Sequence, residues 1–439
     1  MKILFIHNNF PGQFRHVAQH LLRAGKHVLK AITVDTNRQP ALFDTRSYTL
    51  PDARRLNPTP LVLDFQSKVI RGECVARIAA NLKSEGFIPD LIVAHPGWGE
   101  TLFIRAVYPD AKLLHYLEFF YHAEGHDVGF DPAFPSAQDP LSLEFRIAAK
   151  NFNARLTLED CDFALSPTQW QARTYPARQQ EKIKVIHDGI DTQFCAPVPD
   201  VTMRFSSGAV LCKSDLVLTF VARNLEPYRG YHWFLDALPS LFDAHPNLHV
   251  VIVGGNGVSY GPPPKEGGSW REKFWQSVRD KVPAAQVHFV GKIPHTELIK
   301  LFSISTAHVY CTYPFVVSWS LLEAMSCGCP VVANRVPPVE EIVTHEATGL
   351  LFDTFTPGAM VAQIERLFKD RQFAEKIGMQ ARAHIVSKYD LKSVCIPQQL
   401  HWLGGLVGEA LAQAQRAQAP TERERPHFAE DRVRVMAAL

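Results

Sequence analysis

Two arginines six residues apart are the first candidates for chemistry in this chain. Arg223 and Arg229 follow a predicted buried strand at 216–222, in a loop that ends at Gly230. A guanidinium pairs with phosphate oxygens through two parallel N–H groups, so two of them after one strand would bind a diphosphate. The sharp loop favours this interpretation. The alternative, two ordinary surface arginines, stays open on the residues alone.

A second phosphate-binding feature is predicted where Ser318 can cap a helix. Free backbone N–H groups near Ser318, Trp319 and Ser320, together with the helix dipole, suit a phosphate. Glu323 follows about one turn later, where its carboxylate would accept hydrogen bonds from a ribose diol. Taken alone, the stretch is equally typical of an amphipathic helix with an exposed glutamate.

Parallel sheets must position these residues, because short apolar runs alternate with helical stretches along the chain. The predicted strands of the first half lie at 2–7, 27–34, 89–95, 112–117, 163–166 and 184–186. Those of the second half lie at 216–222, 249–253, 287–290, 307–311 and 330–333. A helix is predicted over 141–158. The pattern predicts an α/β protein.

The length of 439 residues is too great for one core, so the sequence predicts more than one domain. We place the first domain at 1–192 and the second domain, which holds the candidate diphosphate and ribose site, at 193–390. A C-terminal helix over 391–414 is expected to pack back toward the first domain. The polar segment 415–439 is predicted to be a flexible tail.

Polar residues of the first half also follow predicted strands, where the ligand crevice of a parallel sheet lies. These candidates are His95, Glu118, His122, His126, Asp127 and Asp131. Gly12 stands in the first turn after a strand, without the G-x-G-x-x-G pattern of dinucleotide sites. Gly12 would either admit a ligand close to the backbone or only permit the turn.

Composition excludes several classes of protein. Hydrophobic residues make up 46% and charged residues 21%, with a formal net charge of +2 and no long basic block, which disfavours nucleic acid as a partner. The eight cysteines form no C-x-x-C pair, so we expect free thiols and no metal site. No apolar run is long enough to span a membrane.

Any membrane contact is therefore expected to be peripheral. The candidates for such contact are five aromatic residues of the first half, which would either meet lipid or pack in the core: Phe10, Phe14, Phe119, Phe120 and Tyr121.

Four stretches of the chain resemble family 4 glycosyltransferases, which have the GT-B fold. They are FVARNLEPYRGYHWFLDAL, VGKIPHTELIKLFSISTAHVYCTYP, SWSLLEAMSCGCPVVANRVPPVEEIV and KVIHDGID. The resemblance covers nearly all of residues 1–390. It implies two doubly wound Rossmann-like domains that face a central cleft.

The resemblance also implies roles for individual residues. Arg223 and Arg229 would bind the donor diphosphate, Glu323 matches the second Glu of the family's E-x7-E block, and Lys292 and Ile293 would lie near the base.

Among the departures from the family pattern, two concern the donor sugar and the anomeric centre. Phe315 occupies the place of the first Glu of E-x7-E, so recognition of the donor sugar must differ here. Glu118 stands where the family often has a His near the anomeric centre. Whether Glu118, His122 or His126 acts there stays open.

The implied activity is that of a retaining glycosyltransferase of the hexosyltransferase type. It would transfer a sugar from a nucleotide diphosphate sugar to a glycan or lipid-linked acceptor, in the assembly of bacterial surface polysaccharide. We expect no cofactor and no metal, and a place in the cytoplasm or at the inner face of the cytoplasmic membrane. The alternatives are a nucleotide-sugar epimerase of the same fold and an inactive nucleotide-sugar-binding scaffold subunit.

Overall fold

Runs of aliphatic residues form a seven-stranded parallel sheet in the first half of the chain. The computed structural model describes residues 1–51, 61–136 and 138–418. The strand order is β3-β2-β1-β4-β5-β6-β7, and every neighbouring pair is parallel. The strands are β1 (Lys2–Ile6), β2 (Val28–Val34), β3 (Thr45–Tyr48), β4 (Leu91–Ala94), β5 (Lys112–Tyr116), β6 (Phe163–Ser166) and β7 (Ile183–Val185).

Helices cover both faces of this first sheet, because its strands are buried on both sides. They are α1 (Arg15–Ala24), α2 (Leu63–Ser84), α3 (Ile104–Val107), α4 (Pro140–Lys150), α5 (Phe152–Asp160), α6 (Gln169–Thr174) and α7 (Ala177–Gln180). Local signals set several of their ends. Helix α1 ends at Gly25 in the left-handed conformation, and the Thr168 side chain caps α6.

A six-stranded parallel sheet organises the second half, in the order β12-β11-β10-β13-β14-β15. An antiparallel hairpin, β8–β9, precedes it. The strands are β8 (Thr202–Arg204), β9 (Val210–Cys212), β10 (Val217–Asn224), β11 (His249–Gly255), β12 (Val287–Gly291), β13 (Ala307–Tyr310), β14 (Val331–Asn334) and β15 (Leu350–Phe352).

The helices of the second half cover this second sheet, with one exception. They are α8 (Tyr231–Ala244), α9 (Trp270–Val278), α10 (His295–Ile304), α11 (Trp319–Ser326), α12 (Pro337–Glu340), α13 (Ala359–Lys369), α14 (Arg371–Tyr389) and α15 (Ile396–Gln418). Helix α15 is the exception, since its residues Leu400, Leu403 and Leu406 pack with the core of the first sheet.

The chain crosses between the two sheets twice, and the crossings lie side by side. The Ile190 amide donates to the carbonyl of Tyr389, and the Leu391 amide donates back to the carbonyl of Ile190, both at 2.8 Å. The Thr192 hydroxyl donates to the carboxylate of Asp390. These bonds fasten the two halves together at their connection.

The predicted fold class, two doubly wound domains facing a cleft, is confirmed. Strand β3, helix α2 and the β8–β9 hairpin were not predicted. The helix predicted over 141–158 is wrong in one respect, because it breaks at Asn151. The Asn151 side chain accepts from the amide of Tyr121 and donates to its carbonyl, which holds Asn151 between α4 and α5.

The end of the chain is described only in part. Helix α15 continues to Gln418, and the rest of the tail predicted for 415–439 lies outside the described residues. Within the ranges that are described, no helix is both long and apolar enough to cross a bilayer.

Candidate functional site

The site is a cleft of about 1400 Å³ between the two sheets. In each sheet the strand order reverses beside its first strand, between β1 and β4 and between β10 and β13. Side chains at the carboxyl ends of such strands line the crevice where ligands bind in open parallel sheets. His7 and His95 follow β1 and β4 in the first sheet, and Arg223 is the second-last residue of β10 in the second. All three line the cleft.

The fold brings most of the predicted donor-binding residues to this cleft, with Glu118 and His95, and leaves three of them outside it, as it does His122, His126, Asp127 and Asp131. Those that line it are Gly12, Glu118, Arg223, Arg229, Ser318, Trp319 and Glu323. Lys292 is exposed just after β12, and Ile293 packs partly buried beside a core cluster. Ser320 is buried, and its hydroxyl donates to that of Ser318 at 3.0 Å. Contact of these three with a base or phosphate stays a prediction.

The two arginines stand in different environments. The Arg229 guanidinium is buried, donates to Thr312 Oγ1 at 2.9 Å and to the carbonyl of Val316 at 3.2 Å, and lies 4.9 Å from the ring centroid of Tyr260. Arg223 is exposed, and its guanidinium has no hydrogen-bond or ion-pair partner among the residues that the structure describes. Arg229 therefore anchors the loop before α11, while Arg223 is free for a ligand.

The start of α11 offers backbone donors to the cleft. Ser318 caps the helix through a bond from the Ser320 amide to its hydroxyl, and its own amide donates to the Tyr310 hydroxyl at 2.8 Å. The amides of Val316, Val317 and Trp319 have no acceptor within the described part of the chain. Unpaired N–H groups at a helix N-terminus attract anions, because they carry the positive end of the helix dipole.

Glu323 lies one turn into α11 and lines the cleft beside His295. His295 Nε2 and Glu323 Oε1 are 3.0 Å apart. This hydrogen bond raises the pKa of His295 above its ordinary value. The thiol of Cys195 lies close to both side chains. The Glu323 carboxylate is thus held at the wall of the cleft by a neighbouring imidazole.

On the opposite wall, Glu118 faces His95. Their closest atoms, Glu118 Oε2 and His95 Nε2, are 3.6 Å apart. Burial opposes ionisation of Glu118, but interactions with His95, His7 and Arg223 outweigh it and lower the pKa of Glu118 below its ordinary value. The Gly97 amide donates to His95 Nδ1 at 3.2 Å, so Nε2 carries a proton toward Glu118.

The structure separates the three first-domain candidates for the anomeric centre. Glu118 lines the cleft, whereas His122 and His126 stack on each other with ring centroids 4.1 Å apart, outside the cleft lining. His122 Nε2 bonds the carbonyl of Thr174 at 2.7 Å. This arrangement favours Glu118 over the two histidines.

Only glycine fits at position 12, because of both its backbone conformation and the packing of the neighbouring His7 ring. Its backbone has φ +46°, and a Cβ atom there would lie 2.5 Å from the ring of His7. His7 in turn accepts from the Asn9 amide and bonds Gln13 Oε1. The turn therefore needs glycine to hold the His7 ring in the cleft wall.

Phe315 fills the place of the family's acidic residue with an aromatic contact between domains. Its ring centroid lies 4.7 Å from that of Phe119 in the first domain and 5.1 Å from that of Tyr260 in the second. Two buried acids of the first domain also reach across. Asp127 accepts from the Tyr228 hydroxyl at 2.7 Å, and Asp131 accepts from Tyr313 and His232.

The aromatic residues expected to meet either lipid or the core are mostly in the core. Phe10, Phe14 and Phe120 are buried in core clusters, which favours the core alternative for these three. Phe119 lines the cleft, so its contact with an acceptor stays a prediction. Tyr121 is partly buried and lines the cleft.

Several cleft residues were missed from the sequence. His7 directly follows β1, so the rule that selected His95 could have found it. Asp188 and His295 lie within the family-like stretches KVIHDGID and VGKIPHTELIKLFSISTAHVYCTYP, but no role was assigned to them. Cys195 and Tyr260 belong to loops with no local motif. Burial raises the pKa of Asp188 to about 7, and both of its oxygens accept from the Tyr116 hydroxyl at 3.0 Å.

Two family models match the chain and together cover most of it. "Glycosyl transferase family 4 group" matches residues 25–195, and "Glycosyl transferases group 1" matches residues 208–384. The D-inositol 3-phosphate glycosyltransferase of Corynebacterium glutamicum is 27% identical over 209 residues, which is 46% of this chain and 47% of that protein. The chain spans about half the length of the curated relatives it matches.

Solved structures share the fold over nearly the whole chain. Sucrose-phosphate synthase from Thermosynechococcus elongatus superposes with a TM-score of 0.68 at 19% identity, covering 93% of this chain and 100% of that one. Anabaena HepE in complex with UDP-glucose superposes with a TM-score of 0.60 at 17% identity, covering 94% and 100%. The chain belongs to the family 4 group of glycosyltransferases and has the GT-B fold.

Proposed function

We propose that the protein is a retaining glycosyltransferase of the hexosyltransferase type, which moves a sugar from a nucleotide diphosphate sugar to a glycan or lipid-linked acceptor. One observation carries the proposal. One interdomain cleft is lined by the guanidinium of Arg223, by the start of α11 with its unpaired backbone amides, as at Trp319, and by the carboxylate of Glu323, which could accept hydrogen bonds from a ribose. HepE, which shares the fold, has been solved with UDP-glucose, and this supports a nucleotide sugar as donor.

The donor diphosphate would lie between Arg223 and the amides at the start of α11, with Glu323 on the ribose. Arg229 would contribute its charge from behind, through the loop that it anchors. As the glycosidic bond breaks, negative charge grows on the diphosphate, and these fixed donors stabilise it without reorganisation. Retention then follows from approach of the acceptor hydroxyl on the side of the departing diphosphate.

Glu118 would act from the other wall. Its carboxylate is ionised at neutral pH because its pKa is lowered, and it faces the space between the domains. A negative charge beside the sugar stabilises the positive charge that develops on an oxocarbenium-like anomeric carbon. His95 is a positioning residue that holds Glu118 in this orientation.

We extend the proposal to a lipid-linked acceptor at a membrane surface, as would serve the assembly of bacterial surface polysaccharide at the inner face of the cytoplasmic membrane. On the consecutive helices α4 and α5, Leu141, Phe145, Phe152 and Leu156 are between 41% and 62% exposed. Each pair is spaced by four residues and so shares a helix face. Exposed apolar patches on soluble domains mark interaction surfaces.

Vesicle co-sedimentation tests this extension. The double variant Phe145→Ser, Phe152→Ser should lose vesicle binding, while Met379→Ser, an exposed apolar position on α14, should retain it. Equal binding of all three proteins would rule out this patch.

A transfer assay tests the proposed function and separates it from its alternatives. The protein is incubated with nucleotide sugars, with and without candidate acceptors, and both the nucleotide and the sugar are analysed. Release of nucleoside diphosphate that requires an acceptor supports the proposal. Conversion of the donor sugar without acceptor would indicate an epimerase. Donor binding without turnover would indicate an inactive scaffold, an alternative raised by Phe315 at the position of the family's first Glu.

A further inference from the structure

Three side chains that ligate metals converge at the wall of the cleft beside α11. They are Cys195 from the connection between the domains, His295 at the first position of α10, and Glu323 in α11. Their Sγ, imidazole nitrogen and carboxylate oxygen all lie within 4.8 Å of one another. In the ranges that the structure describes, no other three His, Cys, Asp or Glu side chains meet this closely.

The donor set indicates which metal would fit. A thiolate, an imidazole and a carboxylate suit zinc, whereas magnesium and calcium prefer oxygen alone. A tetrahedral zinc with bonds of about 2.0–2.3 Å holds its ligand atoms about 3.3–3.7 Å apart. His295 Nε2 and Glu323 Oε1 are 3.0 Å apart, and the Cys195 Sγ lies within 4.8 Å of the ligand atoms of both residues, so shifts of up to about 1 Å are needed to reach these separations.

The shifts would come from side chains, because the backbone of at least one ligand is held in place. The Cys195 backbone is fixed, since its amide donates to Asp191 and its carbonyl accepts from the Ser326 hydroxyl. The His295 side chain is half exposed, and its ring packs against that of Phe194 with centroids 4.9 Å apart, so it has room to turn on its solvent side. All three residues line the cleft, so the fourth position of a bound zinc would face solvent there.

We propose that Cys195, His295 and Glu323 form an inhibitory zinc site. The inhibitory role rests on the proposed function, because Glu323 is the residue assigned to the donor ribose. Zinc takes the carboxylate that the ribose diol requires, so metal and nucleotide exclude each other. On binding, zinc replaces the thiol proton of Cys195, which goes to solvent. Neutral His295 shifts its proton from Nε2 to Nδ1, so that the Nε2 lone pair binds zinc and the hydrogen bond from Nε2 to Glu323 is lost. Because a proton is released, zinc binding weakens as pH falls.

Metal titration of the full chain tests the site itself. Co²⁺ serves as the spectroscopic probe, because a cobalt–thiolate bond gives a charge-transfer band, and Zn²⁺ then displaces it. The wild-type protein should show the band with one equivalent bound. Cys195→Ser should abolish the band. Loss of a residue that only hydrogen-bonds to a metal ligand weakens metal binding by about 10- to 100-fold. His295→Ala should weaken zinc binding by more than this, because it removes a ligand itself.

Cys212→Ser is the matched control, because Cys212 is a partly exposed cysteine at the end of β9, outside the cleft lining. It should keep the wild-type band. A band that survives in Cys195→Ser, or no band in the wild-type protein, would overturn the site.

Nucleotide competition tests the inhibitory role. UDP affinity is measured with and without zinc in wild-type protein and in Cys195→Ser at the same free zinc concentration, since zinc also binds free diphosphate. We expect zinc to weaken UDP binding in the wild type alone. Equal effects in both proteins would overturn the inhibitory role. A chain that binds zinc but no nucleotide would overturn the proposed function and the inhibitory role together, and the metal site would stand.

Discussion

The carboxylate of Asp131 in the first domain accepts a hydrogen bond from His232 Nε2 in the second domain, at 2.8 Å. The Tyr313 hydroxyl donates to the same oxygen at 2.9 Å. Burial opposes ionisation of Asp131, but these hydrogen bonds outweigh it, so the pKa of Asp131 lies below its ordinary value of 3.8. The loop after β5 is thereby tied to the face of the second domain.

Stability in acid should depend on Asp131. The pKa of Asp131 is lower in the folded state than in the unfolded state. Its ionised carboxylate therefore stabilises the fold above about pH 3.8, and this contribution is lost as pH falls through the folded-state pKa. Asp131→Asn should lower the free energy of unfolding near neutral pH by about 1–3 kcal/mol and reduce its decline in acid. Urea unfolding at several pH values measures both. Asp280→Asn, at an exposed carboxylate, is the control, and equal pH profiles for Asp131→Asn and the wild type would contradict the prediction.

Arg223→Ala should weaken nucleoside diphosphate binding without loss of stability. The Arg223 guanidinium has no hydrogen-bond or ion-pair partner among the described residues, so its removal breaks no such bond and leaves only a longer-range attraction to Glu118 unmet. A charge-assisted hydrogen bond contributes about 1.5–3 kcal/mol, which corresponds to roughly 10- to 150-fold in affinity. Calorimetric titration with UDP and ADP measures the loss. Arg77→Ala, at an exposed arginine on α2, should leave affinity unchanged. An unaltered Kd in Arg223→Ala would remove this residue from the diphosphate site.

Arg229 is the poorer probe of the same site. Its guanidinium holds Thr312 and the carbonyl of Val316, so Arg229→Ala should remove most of the transfer rate and also lower the melting temperature. A near-normal rate in Arg229→Ala would argue against its role on the diphosphate.

Glu323→Gln should abolish discrimination between ribose and deoxyribose. The wild type should bind UDP more tightly than 2′,3′-dideoxy-UDP, because a carboxylate accepts hydrogen bonds from both hydroxyls. In Glu323→Gln the two affinities should approach each other, since a neutral amide accepts more weakly. Glu297→Gln, on the neighbouring helix α10, serves as the control. Undiminished discrimination in Glu323→Gln would place the ribose elsewhere.

The pH dependence of transfer should report Glu118. Its lowered pKa keeps the carboxylate ionised at neutral pH, so the acid limb of kcat/KM should lie below about pH 4.5. His95→Gln removes an interaction that lowers the pKa of Glu118, while burial continues to raise that pKa. The acid limb of kcat/KM should therefore move to higher pH. Glu118→Gln should lower kcat/KM by about 100-fold or more. His122→Gln, outside the cleft lining, should leave the profile unchanged, and an unmoved limb in His95→Gln would argue against the pairing.

The sequence predicted the sheets well because buried parallel strands are continuous apolar runs, as at 249–253 and 330–333. The start of α11 was also predicted, since Ser318 caps it through its own side chain. In contrast, the break at Asn151 was not predictable, because it depends on Tyr121, thirty residues earlier in the chain. Strand β3 carries exposed polar residues and has no apolar pattern to reveal it.

The candidate site also has a part that could be predicted from local sequence and a part that could not. Arg223, Arg229, Ser318 and Glu323 lie in stretches with local patterns, and the fold brings them to one cleft. The pairing of Glu118 with His95, and of Glu323 with His295, arises from packing between elements far apart in the sequence. Phe315 shows the same limit, since its contact with Phe119 exists only when both domains are in place, and its contact with Tyr260 joins two loops of the second domain that are far apart in the sequence.

The most direct test of the central claim is thermal stabilisation of the wild-type protein by a panel of nucleotides. A ligand that binds only the folded state at about 100 times its Kd adds about 2.7 kcal/mol of stability. We predict that one nucleoside diphosphate raises the melting temperature selectively, that its monophosphate does so less, and that Arg223→Ala loses the effect. No rise with any nucleoside diphosphate or nucleotide sugar would contradict the assignment of the cleft as a donor site.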